Sequence, residues 1–215
     1  MAPRGAHVVD RTTPKALHLA AVSVWEGLSD SDPVRSFLYL DAERRIIAGG
    51  PLLPPVGGRR AQNWVDALYR YEEFWRTWSR TPRENTRDRT QLPAVERRLG
   101  EWARYQRRHR DGLCLYQRVR CEVSPAFVWD LQEHAWLAKR SRCVQFLEDT
   151  GRLPHLNSAD RDEFLLARWL GRQMHEYQTD TLPDGRRALL RDLLIRTQIG
   201  LIDARPTKTR VIDKP

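Results

Sequence analysis

Lysine is almost missing from this chain: of 37 basic residues, 4 are Lys and 33 are Arg. A GC-rich genome accounts for part of that ratio, because its codons favour Arg over Lys. It does not account for a surplus of bases over acids. Cysteine is scarce as well, with Cys114, Cys121 and Cys143 making an odd number and no CxxC pair. That excludes a disulfide scaffold and leaves no zinc-type ligand spacing. Combining the Cys with His109 or His134 does not restore such spacing, so neither a metal nor a cofactor is expected. No apolar run approaches the roughly 20 residues of a membrane-spanning helix. The opening MAPRGAHVVD lacks the apolar stretch of a secretory signal, so a cytoplasmic location is expected. GxxxxGK[ST], HExxH, GxSxG and any paired-carboxylate constellation are missing too, and the expectation is a protein that is not an enzyme.

What the chain has instead is positive charge, with a net +9 over 215 residues. An excess of that size is the electrostatic footprint of a protein that meets nucleic acid. It is uneven: residues 64–129 carry a net +5, against +2 in each flanking stretch. Within 97–120, eight Arg face only Glu101 and Asp111. Solvated helix faces are normally mixed in sign; this one is not.

Residues 1–60 read as a small module and linker. Thr13 and Pro14 cap a short helix running to Trp25, and SDSDP breaks it. Phe37–Leu40 and Arg45–Ala48 read as the two strands of a hairpin, and GGPLLPPVGG at 49–58 as a linker. From Ala61 the pattern turns helical. Trp64, Leu68, Tyr71, Phe74 and Trp78 follow steps of three and four. Pro93 opens a second helix with Val95, Leu99, Trp102 and Tyr105 inward, and a third runs through Leu115 and Val119 to Ser124-Pro125. The same order returns after Trp129. One helix closes at Thr150-Gly151, a second carries Phe164, Trp169 and Leu170, and a third carries Leu189, Leu190 and Leu193. Residues 83–91 read as an exposed loop and 203–215 as a disordered tail.

Subtraction exposes a repeat. Trp64 and Trp136, Phe74 and Phe146, Arg80 and Arg152, and Pro82 and Pro154 each lie 72 residues apart. Leu99 and Leu166, Trp102 and Trp169, and Gln106 and Gln173 lie 67 apart. The five-residue drop falls in the polar loop, where a deletion costs least. The expected fold class is therefore mainly α: two tandem three-helix bundles (61–129 and 130–202) behind an N-terminal module of a short helix and a β-hairpin.

A Trp-started helix, a Gly151-Arg152-Leu153-Pro154 element, an L-x-x-W-x-x-x-Q helix and a closing Phe127-Val128-Trp129 together resemble the helicase-associated domain, over about 64–129 and 136–200. That family occurs in tandem behind bacterial helicases. The resemblance implies small bundles akin to Myb-type helix-turn-helix modules that bind nucleic acid. The first copy has Ser79 where the second has Gly151, and the second lacks the closing F-x-W.

In a helix-turn-helix the third helix enters the major groove while its predecessor touches the backbone. On that reading Arg97, Arg98, Arg104, Arg107, Arg108 and Arg110 contact phosphates, joined by Lys139 and Arg140 of the second copy. Gln117, Arg118 and Arg120 read bases, as do Arg186, Arg187 and Arg191. Gln106 either reads adenine or caps a carbonyl inside the bundle. The Trp residues suit core packing better than base stacking. The expected partner is double-stranded DNA, with the first copy dominant and the protein nucleoid-associated. Two alternatives stay open. One is an adaptor docking an acidic replication, recombination or transcription protein, with residues 1–60 recruiting the partner; the other is an RNA binder.

Overall fold

The computed structural model describes residues 12–50, 55–84 and 91–203. They are mainly α, with no strand among the described residues. The chain divides into two compact units, residues 1–130 and 131–215. Residues 51–54 of the linker assigned to 49–58, residues 85–90 of the loop and the tail beyond Asp203 lie outside the described residues.

Unit 1 holds helices α1 (Pro14–Glu26), α2 (Pro33–Ala48), α3 (Pro55–Trp78), α4 (Ala94–Arg108) and α5 (Leu115–Glu122), with a 3-10 turn at Arg110–Gly112. The α1 cap follows the sequence: Thr13 Oγ1 accepts from the Ala16 amide at 3.2 Å, and Pro14 takes the first position. The hairpin is overturned, because Phe37–Leu40 and Arg45–Ala48 belong to one helix. The SDSDP that ends α1 also starts α2, through Asp32 capping the Arg35 amide at 3.1 Å with Pro33 behind it. Gly49, at φ 65°, ends α2 in the left-handed conformation. Two strong caps outweigh the strand preference of the aromatic and β-branched residues between them.

The boundary near residue 60 also fails. Pro55–Gly58 begin α3 rather than a linker. Ala21 of α1 and Tyr39, Leu40 and Ala42 of α2 share one core with Val65, Leu68 and Tyr71 of α3 and Tyr116 and Val119 of α5. In α4 the inward face is Glu96, Leu99, Gly100, Ala103 and Gln106, while Val95 and Tyr105 are exposed and Trp102 is half-buried. Gly100 sits inward because α4 approaches another stretch of backbone there. A Cβ on it would lie 3.0 Å from the Arg83 carbonyl oxygen.

Unit 2 holds α6 (Leu131–Thr150), α7 (Arg161–Gln178) and α8 (Asp184–Asp203) around a core of Trp136, Cys143, Leu147, Leu166, Trp169 and Leu190.

The residues paired by subtraction make the same interactions. Trp64 Nε1 donates to Gln106 Oε1 at 3.0 Å, and Trp136 Nε1 donates to Gln173 Oε1 at 2.5 Å. Arg80 and Arg152 each lie 5.0 Å over their own Phe, Phe74 and Phe146. Each also forks onto one carboxylate, Arg80 onto Glu96 at 2.6 and 3.2 Å and Arg152 onto Glu163 at 2.5 and 3.3 Å. Pro82 and Pro154 are both buried.

Just before each Arg the chain leaves its helix with a positive φ, 70° at Gly151 and 50° at Ser79. A residue bearing a Cβ is penalised in that conformation by about 1–2 kcal/mol, and Gly is not. Ser79→Gly should therefore stabilise unit 1 by about 1 kcal/mol, and Gly151→Ser should destabilise unit 2 by a similar amount. Chemical denaturation of the two variants checks both signs. A Ser79→Gly change that destabilises would refute the equivalence of the two turns.

Candidate nucleic-acid interface

Of the side chains assigned to base reading, Arg120 is the furthest from a nucleic acid. It has no solvent exposure. Its Nε donates to Glu43 Oε1 at 2.8 Å, while Nη1 and Nη2 fork onto Glu72 at 2.8 and 3.1 Å. Ser124 Oγ donates to Glu72 at 2.7 Å, Tyr116 Oη donates to Glu43 at 2.6 Å, and His18 Nδ1 lies 2.8 Å from Tyr116 Oη. One guanidinium thus joins α2, α3 and α5, and the Tyr116–His18 contact brings in α1. Burial works against the Arg120 charge, but the two carboxylates outweigh it and raise its pKa above the ordinary value. Burial alone would raise the Glu43 carboxyl; the His18 hydrogen bond and the Arg120 charge hold it below the usual range.

The glutamines are corrected in the same way. Gln106 is buried and takes the Trp64 indole N–H, and Gln117 is buried with its Oε1 accepting from the Cys114 amide at 3.3 Å. Because α5 is eight residues long and buries Tyr116, Gln117, Val119, Arg120 and Cys121, it offers no groove-reading face. Arg118 is half-buried.

Several assigned phosphate contacts are likewise committed inside the fold. Arg107 Nη1 donates to Glu84 Oε1 at 2.5 Å and Nε to the Val128 carbonyl at 2.5 Å, with the guanidinium 5.0 Å over Phe127. Arg104 Nη2 donates to the Glu84 carbonyl. Glu84, at that end of the loop, is therefore packed rather than exposed. Arg110 pairs with Glu122 at 3.4 Å and lies 4.9 Å over Trp129. In unit 2, Arg140 holds the Leu189 carbonyl and Asp192, Arg186 holds Glu133 at 2.8 Å, and Arg187 holds Asp180. They tie helices together, and each keeps only part of its surface in solvent.

What stays open is a smaller set. Arg98, Arg108, Lys139 and Arg191 are exposed, Arg97 is half-exposed, and none of the five has an ion pair among the described residues. Arg97 and Arg108 stand three turns apart on one face of α4.

The residues that sequence reading missed are Glu96 and Glu163. Each is buried and accepts the Arg fork plus a backbone amide, from Arg83 at 2.9 Å and from His155 at 3.1 Å. They also lie 67 apart, the offset already found for Leu99 and Leu166, so subtraction of acidic positions would have found them. The Arg80 and Arg152 hydrogen bonds, reinforced by those amides against the cost of burial, hold both carboxyls at about 2.

The Cys thiols are buried, and burial raises each of them, Cys143 to about 11. No group of three or more His, Cys, Asp or Glu able to hold a metal occurs among the described residues. No described helix is long and apolar enough to cross a membrane.

Two outcomes are expected. Removing Arg120 strands two buried carboxylates, so Arg120→Ala should cost about 3–5 kcal/mol by denaturant titration, whereas an Arg that reads DNA would cost little stability. Because Glu96 and Glu163 titrate near 2 when folded against an ordinary 4.5, their stabilisation is complete above about pH 5. It falls as pH drops through 4.5 and is gone below about 2. Glu96→Gln and Glu163→Gln should each flatten that acid limb; an unchanged limb in both would contradict the assignment. In comparisons with family models, curated proteins and solved structures, nothing matches this chain.

Proposed function

We propose that this chain is a non-enzymatic DNA-binding protein, built from tandem repeats of the helicase-associated type and acting at the nucleoid. The observation that carries the reading is the direction in which the ion pairs point. Among the described residues four carboxylates are buried, Glu43, Glu72, Glu96 and Glu163, but only one Arg, Arg120. The internal pairs therefore keep negative ends inside and leave guanidinium edges in solvent, as at Arg80, Arg83 and Arg152. Added to these are the unpaired cations of α4. Such a surface suits phosphates, which are recognised by charge without regard to base.

On this reading Arg97, Arg98 and Arg108 supply the main phosphate contacts, and Lys139 and Arg191 supply weaker ones. No deep groove reading is invoked, since the assigned base readers Gln106, Gln117 and Arg120 are buried. Binding is then mainly independent of sequence. RNA would be held by the same phosphate chemistry.

A second reading has its own support. On α2, Val34 is 75% exposed and Phe37 52%, an apolar pair that suits docking to a protein of DNA processing or transcription.

A salt titration on a random duplex separates the two. DNA binding predicts an affinity that falls steeply with salt, and Arg97→Ala/Arg98→Ala/Arg108→Ala should lower the log–log slope by up to about 3, one per lost phosphate contact. Lys139→Ala/Arg191→Ala should lower it less. Duplex affinity that is absent, or that does not respond to salt, would displace this reading in favour of protein docking.

A further inference from the structure

Unit 1 contains a pocket of about 260 Å³ where α2, α3, α4 and α5 meet, and the two buried glutamines line it. Gln106 is 3% exposed and Gln117 2%. Each has its amide orientation forced. The Trp64 indole and the Cys114 amide can only donate, so the atom each one meets must be the glutamine oxygen. That leaves both Nε2 amides as donors, and neither has a hydrogen-bond partner among the described residues. Both amides are therefore available to whatever enters the pocket that the two side chains line.

The rest of the lining shares that polarity. Arg35 spends one N–H on the Gly112 carbonyl at 2.8 Å and keeps the remainder, while Arg60 and Asn63 are exposed at the mouth. No carboxylate lines the pocket. Aromatic rings supply the walls, with Trp64 and Trp102 inside and the half-exposed Tyr105 at the rim.

Donors and cations without acids select an anion rich in acceptors, and aromatic walls select a planar one. The volume lies just under the range of about 300–1,000 Å³ for drug-sized ligands, enough for one base and not for a dinucleotide. Unit 2 provides an internal comparison. Trp136 and Gln173 repeat the Trp–Gln bond there, but none of the three helices of unit 2 corresponds to α2, which supplies Arg35 to the pocket of unit 1. The bond is thus a packing device in both copies, and the pocket belongs to the first.

We propose that this pocket binds a single nucleotide. Its base lies against Trp102 and Tyr105 with its acceptor atoms on the Gln106 and Gln117 amides, and its phosphate sits at Arg35 and Arg60. The site uses none of the α4 cations assigned to duplex contact, so it stands or falls separately from that surface. Its nucleotide is either a free nucleoside monophosphate or one unpaired residue of a strand.

The test is a titration of the full ¹⁵N-labelled chain, following the Gln side-chain amide signals. The probes are the four deoxynucleoside monophosphates, inorganic phosphate and a hexathymidylate. Saturable shifts of the Gln106 and Gln117 amides by a monophosphate are expected, with affinity falling tenfold or more in Arg60→Ala and Tyr105→Ala. Those two residues lie at the exposed rim, so unfolding should be unchanged, and Arg97→Ala/Arg98→Ala/Arg108→Ala should bind the monophosphates like the wild type. Shifts with the hexamer but not with monophosphates would assign the site to a strand nucleotide; equal shifts with both would assign it to free nucleotide. The proposal is overturned if no nucleotide probe moves these amides, if inorganic phosphate alone gives the whole effect, or if neither rim variant weakens binding.

Discussion

A guanidinium sealed from solvent between two carboxylates of different helices sets the architecture of unit 1. Arg120 on α5 can be buried only because Glu43 on α2 and Glu72 on α3 meet it from two sides with bonds of 2.8 to 3.1 Å. Lysine could not replace it, since a compact ammonium cannot fork onto one carboxylate while reaching a second. The geometry demands that α2, α3 and α5 all be present, and Tyr116 with His18 extends the demand to α1. A domain that began at residue 60 would leave Arg120 facing Glu72 alone, in a cavity where α2 had been. Hence the N-terminal helices are part of the core rather than an appendage.

The chain uses the same two fastenings twice, once in each unit. The Trp–Gln bond locks the first helix of each copy to the second, and the Arg–Glu fork locks the intervening turn to the base of the second helix. In both forks the carboxylate is the buried partner and the arginine the exposed one. The reason is one of shape: an Arg can lay its stem along apolar surface and leave its head in water, while a short carboxylate must follow its backbone inside. The same asymmetry that stabilises each turn therefore gives the surface its positive character. Arginines that fasten the fold and arginines left free in solvent come from one supply, which is why counting them overstates the free positive surface.

Helices and their caps could be read from the sequence wherever periodicity and capping residues agreed, as at Thr13-Pro14, Pro93 and Thr150-Gly151. The duplication was legible by subtraction, because Trp, Pro and Phe change little under packing constraints. The aromatic and β-branched content of Phe37–Leu40 and Arg45–Ala48 suggests strands, while the Asp32–Pro33 cap that decides for a helix reads in sequence only as a break. The roles of individual arginines were not legible at all. Arg120 and Arg98 look alike in sequence, and only the distant carboxylates at 43 and 72 distinguish a core clamp from a free cation. Gln106 alone fits two roles in sequence; its recurrence at Gln173 together with the Trp pair is the signal for a packing bond.

Helices α1 and α2 fold as one cooperative body with α3–α5 around Arg120. Native-state hydrogen exchange on the full chain measures this most directly, since it gives an opening free energy for each helix. A shared core predicts that the slowest amides of α2 have the opening free energy of those in α3 and α5. It also predicts that Arg120→Ala lowers all three together while the amides of α6–α8 keep their own value. Protection of α3–α5 that persists while α1 and α2 exchange freely would contradict it.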